Sequence, residues 1–424
     1  MRLLTILLAV SLCVTASSDA DEKSKLKAIK DNAKQGSNGI PTIAAYLKDP
    51  SVTVRREAVK AIVGIGGLDS LNPLVAACRD NDAEVQQRAT DGLVNFYLPG
   101  YVGKGWGDSV KHVGSTITGV FAQPGDQIIE PDTAVRPEIA DAISQLIRGA
   151  SSNDARANAA RAAGILRCKV AVPGLCNALK SKDDVLMYES LIAMQKIGDT
   201  SAGSAAIFLV RDLDEKLQLA AIETVGILRT AEAVPDLKRV LEMGGKKARP
   251  AALSALGQVA DPSTRPVFAL FLNDKDDHMR AAAAEGLARV GLPEDRAPIQ
   301  KLFQAEKKTS FRLSLAFALV GLGDLDTATD GPLRYLSSNL TARSWRGVAE
   351  PFLAEQARKP QVRQTIYQMF KILGDKDELM GLARVLAASG AQDSIAPLEE
   401  LSRNADPEVS REALRALRLV KSRT

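Results

Sequence analysis

Aromatic residues are scarce in this chain, where Phe, Tyr and Trp make up 4% of 424 residues. β-Sandwich cores rely on rings and β-branched side chains, so a core of Ala, Leu, Val and Ile points to close-packed helices instead. Histidine is scarcer still: His112 and His278 are the only two. Neither stands in a Cys/His cluster, and the Cys168–Cys176 interval is wrong for a paired zinc knuckle. No serine occupies a nucleophile elbow, and no glycine run has the spacing of a dinucleotide or P-loop fingerprint. An excess of one charge is also missing, since 55 basic residues stand against 51 acidic ones. That balance leaves no strong footprint for nucleic acid or an acidic substrate. The carboxylates fall on solvated faces and turns, which singles out no catalytic pair. The residues thus supply no cofactor motif, no metal site and no catalytic constellation, and a non-enzymatic role is expected.

Long apolar runs are absent after the first residues. The segment MRLLTILLAVSLCVTASSDA has a basic start at Arg2, an apolar run from Leu3 to Val14, and then small residues. This pattern predicts a secretory signal peptide over residues 1–20, cleaved after Ala16 or Ala20. An uncleaved anchor is the alternative, although the run is short for a membrane span. Leu12 before Cys13 argues against lipid attachment. The mature chain is expected to be exported, periplasmic or extracellular. Cys78, Cys168 and Cys176 then remain. Three is odd, so one thiol is free unless it pairs between chains. Cys168 and Cys176 either form a disulfide or serve as small hydrophobes.

What the sequence has in abundance is repetition. DPSVTVRREAVKAIVGIG (49–66) aligns without a gap with DKDDHMRAAAAEGLARVG (274–291). The register places equivalents at Arg55, Gln86, Arg156, Met187, Gln218, Arg249, Arg280, Arg312 and Arg343, with Leu379 and Ser410 after them. Up to Arg343 the steps are 31 or 32 residues, except for one of 70 between Gln86 and Arg156. Small residues recur three positions later (Ala58, Ala89, Ala159, Ala221, Ala252), and Asp49, Asp80, Asp212 and Asp274 recur six positions earlier. Pro41, Pro73, Pro173, Pro235, Pro266, Pro298, Pro332 and Pro397 mark the preceding segment. Proline is tolerated in the first turn of a helix, so it opens helix A. The Asp-rich cluster ends helix A and caps helix B. One such pair cannot bury its apolar face alone, so the pairs stack. The expected fold is all-α, a right-handed α-solenoid of stacked antiparallel helix pairs with a period of about 31 residues.

These columns resemble HEAT repeats, and more closely the short phycobilisome-lyase-like class, over roughly residues 35–97 and 136–424. The resemblance implies that the Arg and Asp columns bond across adjacent units, with the ladder interrupted at Gln86, Met187 and Gln218. It carries little about function, because such repeats serve many roles.

The long step locates an insert, GYVGKGWGDSVKHVGSTITGVF and its flanks, over residues 98–135. Long loops in compact arrays are usually functional or disordered. Here Tyr101, Lys104, Trp106, Val110, Val113, Ile117 and Phe121 have a composition that buries surface. They make a short amphipathic helix or an irregular flap, packed either on its own repeats or on a partner. The expected organisation is the signal peptide (1–20), N-terminal repeats (21–97), insert (98–135), regular repeats (136–340), and irregular repeats with a cap (341–424). Pro351 predicts a kink in the last part, and Trp345 either fills a junction there or lies on a binding surface. The basic end, with Arg411, Arg415, Arg418, Lys421 and Arg423, reads as a solubilising cap.

These observations favour a scaffold that holds a protein or peptide on the concave face and the insert, with the seven insert residues above as contact candidates. The resemblance also admits a tetrapyrrole-handling lyase-like enzyme, and the insert admits peripheral contact with a membrane surface.

Overall fold

A computed structural model describes residues 20–102 and 127–424, and among them the chain is helical without strands. They divide into two compact units. One holds residues 20–102, 127–129 and 133–202; the other holds 130–132 and 203–424.

The first unit begins with α1 (20–33) and continues through helix pairs α2 (Ile40–Ala45) and α3 (Val52–Ile65), and α4 (Leu68–Ala77) and α5 (Ala83–Tyr97). Two more pairs follow: α6 (Pro137–Gly149) with α7 (Asn153–Ile165), and α8 (Val172–Ala178) with α9 (Asp184–Ile197). Residues 203–211 of a run of 3-10 turns, Thr200–Arg211, open the second unit and are followed by α10 (Glu215–Ile227). Then come α11 (Val234–Met243) with α12 (Ala248–Val259), α13 (Arg265–Phe271) with α14 (Asp277–Val290), and α15 (Arg296–Ala305) with α16 (Thr309–Gly321). The last pairs are α17 (Pro332–Ser338) with α18 (Arg346–Gln356), α19 (Pro360–Ile372) with α20 (Lys376–Ser389), and α21 (Ile395–Leu401) with α22 (Pro407–Lys421). Within each unit, successive B helices pack directly on one another and form one layer. The all-α solenoid of stacked pairs is therefore the fold.

The turn chemistry repeats with the helices. Asp49, Asp80, Asp212 and Asp274 each accept the backbone N–H two residues on, at 2.8–2.9 Å. Ser181 and Asn404 do the same in their own turns. This Asx-type turn delivers a capping side chain to the next helix. Ser51, Asp82, Ser152, Asp183, Asp214, Asp276, Asp375 and Asp406 each accept an N–H of the first turn of a B helix. Proline stands at the start of α2, α6, α8, α11, α13 and α17. Pro73 departs from that rule and lies inside α4, which begins earlier, at Leu68 after Gly67.

The Arg column works differently from the expected ladder. Its commonest bond is to carbonyls at the end of its own helix A. Arg156 reaches the Ile147 carbonyl, Arg249 that of Leu241, and Arg280 that of Asp274. Gln218 makes the equivalent bond to Val210, and Gln86 to Asp80. An uncharged amide donor serves as well as a guanidinium for a carbonyl acceptor, so glutamine does not interrupt the column. A bond across pairs joins Arg55 to both Asp80 oxygens, at 2.7 and 3.1 Å. Another joins Arg363 to Asp393. Lys25 of α1 pairs with Asp49 at 3.1 Å in the same manner. Arg312 instead stands over the rings of Phe303 and Tyr335, at 4.8 and 4.4 Å.

The register also shifts from the loop after α16 onward. A longer loop precedes α17, and α18 begins only at Arg346, so Arg343 lies outside any helix. Arg346 takes over the carbonyl bond, to Leu340 at 2.8 Å. Leu379 and Ser410 are the fourth residues of α20 and α22, the position that Arg55 holds in α3. Pro351 sits within α18, which runs through it as one helix. Trp345 is half-buried at the start of that helix.

Candidate interaction surface

The B layer of the first unit carries the polar face. Two positions per helix matter: one lies two residues after the Arg column and the other five. The later position of one helix meets the earlier position of the next. Asn158 donates to Asp91 at 3.1 Å. Arg161 grips Glu189 with two bonds, at 3.2 and 2.7 Å. In the second unit the same relation joins Glu285 to Ser314, at 2.8 Å. On the neighbouring helices of the first unit, Arg56 binds both Asp82 oxygens and pairs with Glu84, which also takes Arg88. The B face is thus lined by side chains that bond mostly to one another.

The insert leaves from this face. Chain direction changes after Tyr97, where the Asn95 carboxamide oxygen accepts the N–H groups of Gly100 (3.2 Å) and Val102 (3.1 Å). Tyr101 is half-buried, with its hydroxyl facing Arg161 and Asp91. Burial, with the Asp91 charge adding to it, pushes the Tyr101 phenol up to about 12. Burial also pushes the Asp91 carboxyl up to about 6, against the Asn158 bond and the charges of Arg161 and Arg88. At Arg161, burial opposes the charge, but Glu189 and Tyr101 outweigh it and its pKa is raised. At the returning end, buried Ile129 donates its N–H to the Ile165 carbonyl, and Arg136 donates its N–H to the Tyr97 hydroxyl. In the second unit, Arg415 pairs with Glu130, and Arg418 with Asp132 at 3.1 Å, so part of the basic cap is neutralised within the protein.

Of the seven contact candidates, Tyr101 is placed against Arg161, whereas Lys104, Trp106, Val110, Val113, Ile117 and Phe121 lie outside the described residues. So do His112 and residues 1–19. Asp91, Asn158, Arg161 and Glu189 were not singled out from the sequence. Reading the two polar columns at offsets of 28 or 29 residues (161 to 189, 285 to 314) would have found them in part.

The second unit has a buried counterpart. Arg289 binds both oxygens of Glu355 at 2.7 Å and lies over the Phe317 ring, which stacks on Phe352 at 4.4 Å. Burial raises the pKa of Glu285 alongside it. These are side chains holding B helices together, since each charge or hydroxyl is committed to a neighbour. His278 is exposed at the start of α14. Among the described residues no group of three or more His, Cys, Asp or Glu side chains is arranged to hold a metal ion. No described helix is long and apolar enough to cross a membrane.

Stacked two-helix units, a shared turn and a layer of B helices within each unit define the class of repeat α-solenoids. Residues 10–94 and 244–320 match the family model described as HEAT repeats, so those two segments are similar to HEAT repeats. No curated protein sequence matches it. Similar solved structures include the complex of CpcE and CpcF of phycocyanin lyase from Nostoc sp. PCC7120, at 18% identity over 63% of this chain and 92% of that one, with a TM-score of 0.37. A structure of a cadherin–β-catenin phosphorylation switch matches at 13% identity, over 94% and 97% of the two chains, with a TM-score of 0.41. Kap121p matches at 12% identity, over 89% of this chain and 45% of that one, with a TM-score of 0.38.

Proposed function

We propose that this protein is an exported, non-enzymatic scaffold that holds a protein or peptide partner on its B-helix face together with the insert. One observation supports this most directly. Tyr101 and Asn95 fix the start of the insert on the B layer, within the row of Asp91, Asn158, Arg161 and Glu189. A flexible spacer needs no such mooring. A partner-binding element does, because ordering it beforehand lowers the entropy lost on binding. Export rests on the basic and apolar pattern of residues 1–20.

Crosslinking mass spectrometry on the native host envelope tests the reading. Partner crosslinks are expected at Lys60 on α3 and Lys196 on α9, both B-helix residues. Replacing residues 103–126 by a short Gly/Ser linker is expected to weaken capture while the helical circular dichroism signal persists. Crosslinks confined to A-helix lysines such as Lys238, with capture indifferent to the replacement, would sink it.

A further inference from the structure

The first unit contains a pocket that the B face does not use. It opens between the C-terminal ends of two successive A helices, α4 and α6, and has a volume of about 340 Å³. That is at the small end of the range for ligand sites, about 300–1,000 Å³. Small residues create the space. Ala142 lies on the wall, and a Cβ added at Gly149 would meet nothing within 4 Å. Cys78 and Leu146 complete an apolar floor, each 3–4% exposed. Burial pushes the Cys78 thiol up to about 12, so the floor carries no charge.

The rim is polar, and its groups divide into committed and available ones. Asp80 is held by two bonds from Arg55 and one from the Asp82 N–H. Gln86 donates to the Asp80 carbonyl and accepts from the N–H and hydroxyl of Ser151. The Asn81 carboxamide oxygen accepts from Arg55, which leaves its NH₂ group. Arg79 and Gln145 make no side-chain bond to another described residue, and both are exposed. Among the described residues, the rim's one carboxylate, Asp80, is neutralised by a guanidinium, whereas its one guanidinium, Arg79, pairs with no carboxylate. An apolar floor beside an unpaired guanidinium suits a short aliphatic group that ends in a carboxylate.

We propose that this pocket binds an aliphatic carboxylate, as a free small acid or as the C-terminal residue of a peptide. The carboxylate pairs with Arg79, and the aliphatic group covers Cys78, Ala142 and Leu146. The site is separate from the B face, so its failure leaves the scaffold reading untouched, and the reverse holds.

The test uses the whole chain, a fluorescein-labelled short peptide ending in leucine, the same peptide with an amidated C-terminus, and isovalerate. The expected result is saturable anisotropy, or saturable protection by isovalerate in thermal melts. Arg79→Gln weakens binding about tenfold or more, the loss of one charge-assisted contact. Amidation does the same to the peptide, without touching the protein. Gly149→Leu fills the pocket and abolishes binding while the melting temperature without ligand is retained. Competition by isovalerate assigns the site to free acids, and its absence assigns the site to peptide termini. No saturable binding of either probe overturns the proposal, as does binding indifferent to amidation, Arg79→Gln and Gly149→Leu.

Discussion

Gly226 of α10 faces Ala255 of α12 so closely that a Cβ on Gly226 would stand 2.9 Å from the Ala255 Cα. Gly164 meets Ala193 at 2.8 Å in the same way, and Gly257 meets Gly286 at 3.1 Å. Each glycine lies eight residues after the Arg column, and its partner six residues after the next one. The B helices therefore approach at a fixed point, and backbone, which cannot swing aside, occupies the space a methyl group needs. Gly226→Ala is expected to cost about 1–3 kcal/mol by overpacking, more than the helix propensity it gains. Gly64→Ala is the control, because its Cβ would meet nothing within 4 Å. It should stabilise by up to about 1 kcal/mol. Urea melts of both variants check this, and equal behaviour would refute the close-approach argument.

Arg55 offers a second comparison, with Gln86. Arg55 is 8% exposed and binds Asp80, Asn81 and the carbonyls of Asp49 and Pro50. Removing it leaves a buried carboxylate unpaired, so Arg55→Ala is expected to cost about 3–5 kcal/mol. Gln86→Ala breaks neutral bonds to Asp80 and Ser151 and is expected to cost about 1–3 kcal/mol. Denaturant titration separates them. Equal losses would mean that the charge at this column is immaterial.

The stacked helix pairs are legible in the sequence, whereas the polar contacts between them are not. Pro, Asp and Ala columns follow from local rules of helix start, turn and close packing, so the stacked pairs could be read from them. The resemblance to HEAT repeats implies one Arg–Asp ladder across adjacent units. Geometry instead places most of these side chains within reach of their own helix A carbonyls, which Gln218 and Gln86 also satisfy. The polar row of Asp91, Asn158, Arg161 and Glu189 was hidden for a different reason. It alternates carboxylate, amide and guanidinium from one helix to the next, so no single column repeats a residue type. Arg343 was misplaced because an equal step was extrapolated across a loop whose length had changed.

Cysteine chemistry gives a third expectation. Cys78, Cys168 and Cys176 are free thiols; Cys78 and Cys168 are buried, and Cys176 is half-buried. The Cys168–Cys176 disulfide that the spacing allowed is therefore not formed. Burial raises the pKa of all three, which slows thiolate reactions. A native thiol titration should label Cys176 slowly and the other two only after denaturation. Intact mass under non-reducing conditions should show Cys78, Cys168 and Cys176 all reactive in the unfolded chain. A mass lower by two hydrogen atoms would contradict the free-thiol assignment.

The final expectation concerns Asp91, which lies among Arg88, Asn158, Arg161 and Tyr101. Its carboxyl is raised from 3.8 to about 6 on folding, first by burial, with Asn158 and the two arginines offsetting part of the rise. Between these values the folded protein binds a proton that the unfolded chain has released. Stability contributed by this group is therefore greatest below about 4, falls as pH rises towards about 6, and is level above that. Asp91→Asn removes the ionisation while keeping an acceptor for Asn158. The variant should match the wild type near pH 4 and exceed it at pH 7 by at most about 3 kcal/mol. Tyr101 reports on the same change, because the anionic Asp91 that forms above pH 6 faces its hydroxyl. Thermal melts at the two pH values decide the matter. An Asp91→Asn variant that is equally destabilised at both would show that Asp91 serves as an ion partner of Arg161 and not as a carboxyl strained by burial.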